Sequence, residues 1–185
     1  MLMHDGEQTG KFGEWLTAYL NQSTKRQGYT VYFDHGDKSW PNVGVIYGFY
    51  GDHLSRRNQL TQADVILVDQ AGDIIFLIEI EERQSPPKKI IGDVFAVFMC
   101  NHFAVRHHNN QLVFRLTPET KFVFAGWASR KGSKVDQLQA VIVNRLQQFV
   151  VPHDSLNPQN IEFILEENLS SAIEKLGQRI VELLP

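Results

Sequence analysis

The chain is poor in cysteine. Cys100 is the one thiol in 185 residues, so no internal disulfide can form, and its place in an apolar run fits a protein kept under reducing conditions. No apolar run approaches the ~20 residues that a membrane-spanning helix requires. The opening residues, MLMHDGEQ, carry no basic stretch followed by an apolar one, so no secretory signal is expected. Excess positive charge is missing too. A formal net charge of −3 argues against a protein that holds nucleic acid by bulk charge alone, but leaves room for a local basic groove or a metal-assisted site. HExxH, P-loop and GxSxG patterns do not occur, and Cys100, His102, His107 and His108 lack zinc-ligand spacing. Internal repeats and low-complexity tracts are also lacking. These absences leave a single domain over residues 1–185, long enough for a sizeable core and expected to be cytoplasmic, with no membrane partner.

What is present alternates between helical and strand patterns. In GKFGEWLTAYL, Phe12, Trp15, Leu16, Tyr19 and Leu20 recur at the spacing of one helix face. YTVYF (29–33) reads as a strand, as does the aromatic stretch around 43–50. ADVILVD (63–69) and IIFLIEIEE (74–82) follow, separated by a turn at Ala71-Gly72. Ser85-Pro86-Pro87 announces a helix, with Ser85 as N-cap, and KKIIGDVFAVFMCNHF (88–103) is apolar nearly all round, so burial is expected. A hairpin turning at His107-His108-Asn109-Asn110 comes next, then a strand at 121–128 and helical periodicity over 133–150. A strand at 161–165 and an amphipathic helix at 169–184 close the chain. Two successive strand–helix–strand crossings predict an α/β fold with some parallel pairing.

The stretch FLIEIEER poses the functional question. Phe76, Leu77, Ile78 and Ile80 belong in a core, yet Glu79 and Glu81 are set among them, and an unpaired buried charge is very costly. With Ala71-Gly72 as a two-residue turn, Gln70 faces Asp73 and Asp64 falls directly opposite Glu79. Opposed residues have Cβ atoms about 4.5–5.5 Å apart. Glu81 shares their face and Glu82 does not, because side chains alternate along a strand. Three like charges so placed repel and raise one another's pKa unless something positive sits among them. A divalent cation such as Mg²⁺ is one answer, since it takes hard oxygen ligands. An ion-pair network with Arg56, Arg57 or Arg83 is the other, and the residues alone leave both open.

The order of these elements resembles the PD-(D/E)xK nuclease superfamily. Asp64 on one strand, a hairpin, Glu79-Ile80-Glu81 on the next and a helix after it are similar to its acidic motif, and Glu14 in the first helix matches a glutamate common there. The likeness covers about residues 7–150 and extends to the strand at 161–165. Two positions depart from the family pattern: Ala63 stands where the name has Pro, and Glu81 where it has Lys, an E-x-E variant. Lys88 and Lys89 are candidates for a lysine that has moved onto the following helix, where in the first turn they oppose the macrodipole. The alternative is that both are solvated surface lysines.

The resemblance implies a restriction-endonuclease-like three-layer α/β fold, with a central mixed β-sheet flanked by helices. It implies Mg²⁺-dependent hydrolysis of DNA phosphodiester bonds, with Mn²⁺ able to substitute. Asp64, Glu79 and the Ile80 backbone carbonyl would hold the metal, Glu81 would orient or deprotonate the water, Lys88 or Lys89 would stabilise developing charge, and Glu14 would act in the metal's outer shell or on a second metal. The rival is a catalytically degenerate module that binds nucleic acid or a partner protein without cleavage. Arg56-Arg57 and the loop Ser129–Lys134 are candidate phosphate contacts, and Trp40, Tyr47, Phe49 and Tyr50 candidate base-stacking residues, against the plainer readings of solvated charge and core aromatics. The chain is short for an enzyme with its own target-recognition domain, so a homodimer, action on a DNA structure, or service to a larger partner stay open.

Overall fold

The computed structural model describes residues 6–22, 26, 28–51, 53–83, 86–107, 110–127, 144–145, 148 and 156–184. Helix α1 (Glu7–Asn21) leads into β1 (Thr30–Phe33), β2 (Val45–Phe49), β3 (Gln59–Ala63), β4 (Val65–Val68) and β5 (Ile74–Glu81). Then come α2 (Pro87–Phe98), β6 (His102–His107), β7 (Asn110–Arg115) and β8 (Lys121–Trp127), and finally β9 (Ile161–Glu166) and α3 (Leu169–Leu183). The expected N-cap Ser85, the loop Ser129–Lys134 and most of the helix expected over 133–150 lie outside the described residues.

The fold is mixed α/β. A five-stranded sheet runs in the order β1-β4-β5-β8-β9. Strands β1, β4 and β5 are antiparallel neighbours, whereas β8 pairs in parallel with both β5 and β9. Strands β5 and β8 are buried on both faces, which is why their sequences read as nearly unbroken apolar runs. One face packs Phe76, Ile78 and Ile80 against Phe12 and Leu16 of α1 and Leu176 and Ile180 of α3. The other packs Ile74, Leu77 and Phe124 against Ile90, Val94 and Val97 of α2, and against a second sheet.

That second sheet was not expected. It is antiparallel, in the order β3-β2-β6-β7, and contributes Ile46, Ala63, Phe103 and Val105 to the core. ADVILVD is consequently not one strand. Ala63 pairs with Ile46 in the second sheet, Val65 pairs with Ile78 in the first, and Asp64 is the residue at which the chain changes sheets. Such corners are made at bends between packed sheets.

Helix α2 is shorter than its sequence predicts. It ends at Phe98, and His102 already belongs to β6. Nor is it buried all round: Ile91, Phe95 and Met99, spaced four apart, are 40%, 40% and 46% exposed. The apolar stripe is wider than the face that the two sheets cover.

The hairpin turn also differs from expectation. Asp69, rather than Gln70, faces Asp73, with the Asp69 amide donating to the Asp73 carbonyl at 3.0 Å. The Asp69 carboxylate accepts from the Ala71 and Asp73 amides, both at 2.9 Å, and Gly72 takes a left-handed φ of 82°. Asp side chains favour such turns by bonding backbone two residues on. Val68 thus pairs with Ile74, but Leu67 pairs with Phe76, so Ile75 is a bulge. The bulge undoes the turn's one-residue shift. Beyond it the register is the expected one, and carrying it one step past Val65–Ile78 sets Asp64 across from Glu79.

Candidate active site

The acidic end of the hairpin opens into a cleft of about 250 Å³, lined among others by His35, Asp64, Glu79, Glu81, Glu82 and Lys89. Asp64 is held from both sides. Its carbonyl accepts from the Asp34 amide beside β1 at 2.9 Å, and its carboxylate Oδ2 accepts from the Ile80 amide at 2.6 Å. The sheet change explains the second bond. With the chain leaving at Asp64, no β4 backbone remains to meet the Ile80 N–H, and a buried amide must find another acceptor.

Glu79 has no such partner. Its Oε2 is fully enclosed and makes no hydrogen bond, although the charge of Lys89 favours its ionised form, as that of His35 does for Asp64. Burial pushes the Glu79 carboxyl well above the usual range, and the charges of Asp64, Asp93 and Glu81 add to the shift. Burial likewise raises Asp64 to about 7, against the lowering effect of the Ile80 hydrogen bond and His35. Without a cation, this pair holds its protons to higher pH than ordinary carboxylates do.

Glu81 and Lys89 form an ion pair. Burial alone would lower the Lys89 pKa, but the Glu81 hydrogen bond and the charges of Glu81, Asp93 and Glu79 outweigh it, and the net shift is upward. Asp93, one helical turn beyond Lys89, is raised by its own burial and by Glu81, with Lys89 opposing. The cost of a lysine in the first turn of α2 is thereby offset. Across the sheet, Glu81 stands beside Gly126 of β8, where an added Cβ would come within 3.3 Å of the Glu81 Cβ.

Two of the expected site residues stand apart. Lys88 is exposed and does not line the cleft, and neither does Glu14, half-buried on α1. Arg56 and Arg57 lie in an exposed turn, also away from it. Of the candidate stacking aromatics, Phe49 is core at 1% exposure, while Trp40, Tyr47 and Tyr50 retain accessible surface. Cys100 is buried past the end of α2, with its thiol pushed up to about 12 by burial, which makes it a poor nucleophile.

Three residues near the acids were not anticipated. Glu82 crosses to the other side of the sheet and caps α1, accepting from the Gly6 amide at 3.2 Å and the Thr9 amide at 2.8 Å. The signal in the sequence is a helix that starts at Gly6 with no side-chain cap of its own. His35 lines the cleft with a left-handed φ of 62°. Its position in Asp34-His35-Gly36 is a turn pattern, and His is among the residues that tolerate this conformation. Asp93 is signalled by its i,i+4 spacing from Lys89.

No family model, curated protein or solved structure matches this chain. The functional reading therefore stands on the geometry of the cleft and the residue pattern. No described helix is long and apolar enough to cross a membrane. Among the described residues, no three His, Cys, Asp or Glu side chains are gathered as a metal-holding group. Mg²⁺ does not demand one: it commonly takes one or two carboxylates and fills its remaining positions with water and substrate phosphate. Asp64 and Glu79 form such a set. They are adjacent, oxygen-only donors, and one of them has a buried, unpartnered oxygen.

Proposed function

We propose that the chain is a metal-dependent endonuclease that hydrolyses DNA phosphodiester bonds, built on a restriction-endonuclease-like variant of the α/β fold. The observation that carries this reading is the unpartnered Oε2 of Glu79, enclosed beside a second carboxyl. Ionising two adjacent buried carboxyls is costly, and a bound cation would offset that cost. Asp64, Glu79 and the Ile80 carbonyl are the proposed ligands of Mg²⁺, with Mn²⁺ able to replace it. The order α1, antiparallel β1-β4-β5, α2 and parallel β8 agrees with the element order on which the family resemblance rests.

When bound, such a cation neutralises phosphate charge and makes its water more acidic. The chain's own residues supply the rest. Lys89 presents a cationic donor at the cleft, able to stabilise charge developing on a phosphate oxygen, and removal of a donor of this kind costs about 10²–10³-fold in rate. Glu81 holds Lys89 in place through Oε2, while its Oε1 accepts from the Arg83 amide and keeps a lone pair that can orient the attacking water. The wall formed by Gly6 and Thr9 at the start of α1, tied to Glu82, closes one side of the cleft.

The test is cleavage of supercoiled plasmid with Mg²⁺ or Mn²⁺ by the wild type, Asp64→Ala and Glu79→Ala. Loss of nicking in both variants is the expected result. The rival, a nuclease-fold module that binds without cutting, draws on the Glu in the motif's lysine position. It predicts DNA binding by the wild type with no nicking under any metal.

A further inference from the structure

Four carboxyl groups line the acidic cleft, and the structure holds a second cleft of different character. It has a volume of about 600 Å³ and runs between the turn after β1 and the outer face of the second sheet. His35 lines both clefts and so stands at the boundary between them. Their charge differs. The second is lined by Lys38 and Arg106, and Asp34 is the one acid among the described lining residues. The Arg106 guanidinium lies over the Tyr47 ring, 5.1 Å from its centroid, which fixes a planar cation on the cleft wall in advance.

The sheet registers build this wall. Tyr47 is paired with Gln62 across β3, and Val45 with Arg106 across β6, so Val45, Tyr47, Gln62 and Arg106 belong to one stretch of sheet surface lining the cleft. Tyr47 is half-buried and Arg106 exposed. The junction is fixed as firmly: a Cβ on Gly10 of α1 would sit 2.6 Å from the His35 carbonyl oxygen, so only a residue without one lets the helix approach this closely. His35 is thus clamped from behind, in a backbone conformation uncommon for a residue with a side chain.

We infer that this second cleft is a nucleic-acid subsite that takes a single, unpaired strand continuing from the phosphate in the acidic cleft. The inference rests on the nuclease reading for its orientation but not for its chemistry. A volume of this size suits one or two nucleotides. A guanidinium stacked on an aromatic ring offers a plane to an unpaired base and N–H groups to its phosphate. Lys38 supplies a second phosphate contact. The preferred substrate is therefore DNA with a frayed, flapped or single-stranded segment beside the cleaved bond.

The experiment measures fluorescence anisotropy of a labelled 12-nucleotide single strand and of a 12-base-pair duplex, with EDTA present so that no cleavage occurs. The proteins are the wild type, Lys38→Ala/Arg106→Gln, and Arg106→Lys, each checked for an unchanged thermal midpoint. The wild type should prefer the single strand. The double variant should bind it about 10- to 100-fold more weakly, with a salt slope shallower by about 1.4, as expected for two lost phosphate contacts on a single strand. Arg106→Lys should recover the salt slope but only part of the affinity, because an ammonium does not stack. Unchanged single-strand binding by the double variant, or wild-type preference for the duplex, overturns the subsite. A wild type that binds as described but never cleaves plasmid refutes the nuclease reading while leaving the subsite standing.

Discussion

Replacing Asp64 by asparagine should make the metal-free protein more stable at pH 8. The amide oxygen of the introduced side chain can still accept from the Ile80 N–H, so the bond at the sheet change survives. What disappears is a carboxyl whose pKa stands at about 7 in the fold against an ordinary 3.8. Because the folded pKa is raised, the folded state binds more protons than the unfolded state between those values. Stability is then fullest below pH 4 and is lost as pH climbs through 7. Each pH unit in that window is worth ~1.4 kcal/mol, so from pH 5 to about 7 the wild type loses about 3 kcal/mol that the variant keeps. For a chain of this length that is a difference of roughly 6–12 °C in melting temperature. Urea unfolding followed by circular dichroism at pH 5 and pH 8, with EDTA throughout, measures it. Millimolar Mg²⁺ should then raise wild-type stability at pH 8 and leave the variant unmoved, closing much of the gap. A variant no more stable than the wild type at pH 8, or an advantage equal at both pH values, would refute the reasoning, since Asp64 would then be an ordinary solvated carboxylate.

Other perturbations separate the roles of neighbouring residues. Lys89→Ala should reduce the cleavage rate about 10²–10³-fold, whereas Lys88→Ala should leave it within about twofold; steady-state plasmid nicking distinguishes them. Glu82→Ala removes the cap of α1 and should cost about 1–2 kcal/mol in urea unfolding, with a retained response to Mg²⁺. Gly10→Ala drives a Cβ against the His35 carbonyl and should destabilise by about 1–3 kcal/mol while weakening single-strand binding, because the clamped junction must shift.

Much of the scaffold was legible because periodicity reports burial directly. Strands β5 and β8, buried on both faces, and the one-sided stripe of α1 announce themselves in the order of apolar residues. The shared cleft of Asp64, Glu79 and Glu81 was legible as well, but by a route that held for a compensating reason. The Asp69-capped turn shifts the pairing by one residue and the Ile75 bulge shifts it back. Neither leaves a clear trace in composition. The second sheet was illegible because nothing in ADVILVD marks Asp64 as a corner; strand propensity is continuous across it, and only the pairing partners of Ala63 and Val65 differ. His35 and Glu82 were missed for a related reason. Each acts on α1, many residues away, and such contacts depend on topology rather than on local pattern. Lys88 and Lys89 could not be told apart from sequence, since adjacent helix positions differ by about 100° of rotation, which decides which one meets Glu81.

The most direct measurement is anomalous diffraction from crystals soaked in Mn²⁺. The account predicts one strong peak within about 2.0–2.3 Å of a carboxylate oxygen of Asp64 and of Glu79 Oε2, near the Ile80 carbonyl, and its disappearance in Glu79→Gln. A cleft that stays empty at millimolar Mn²⁺, with Glu79 still enclosed and unpartnered, would contradict it.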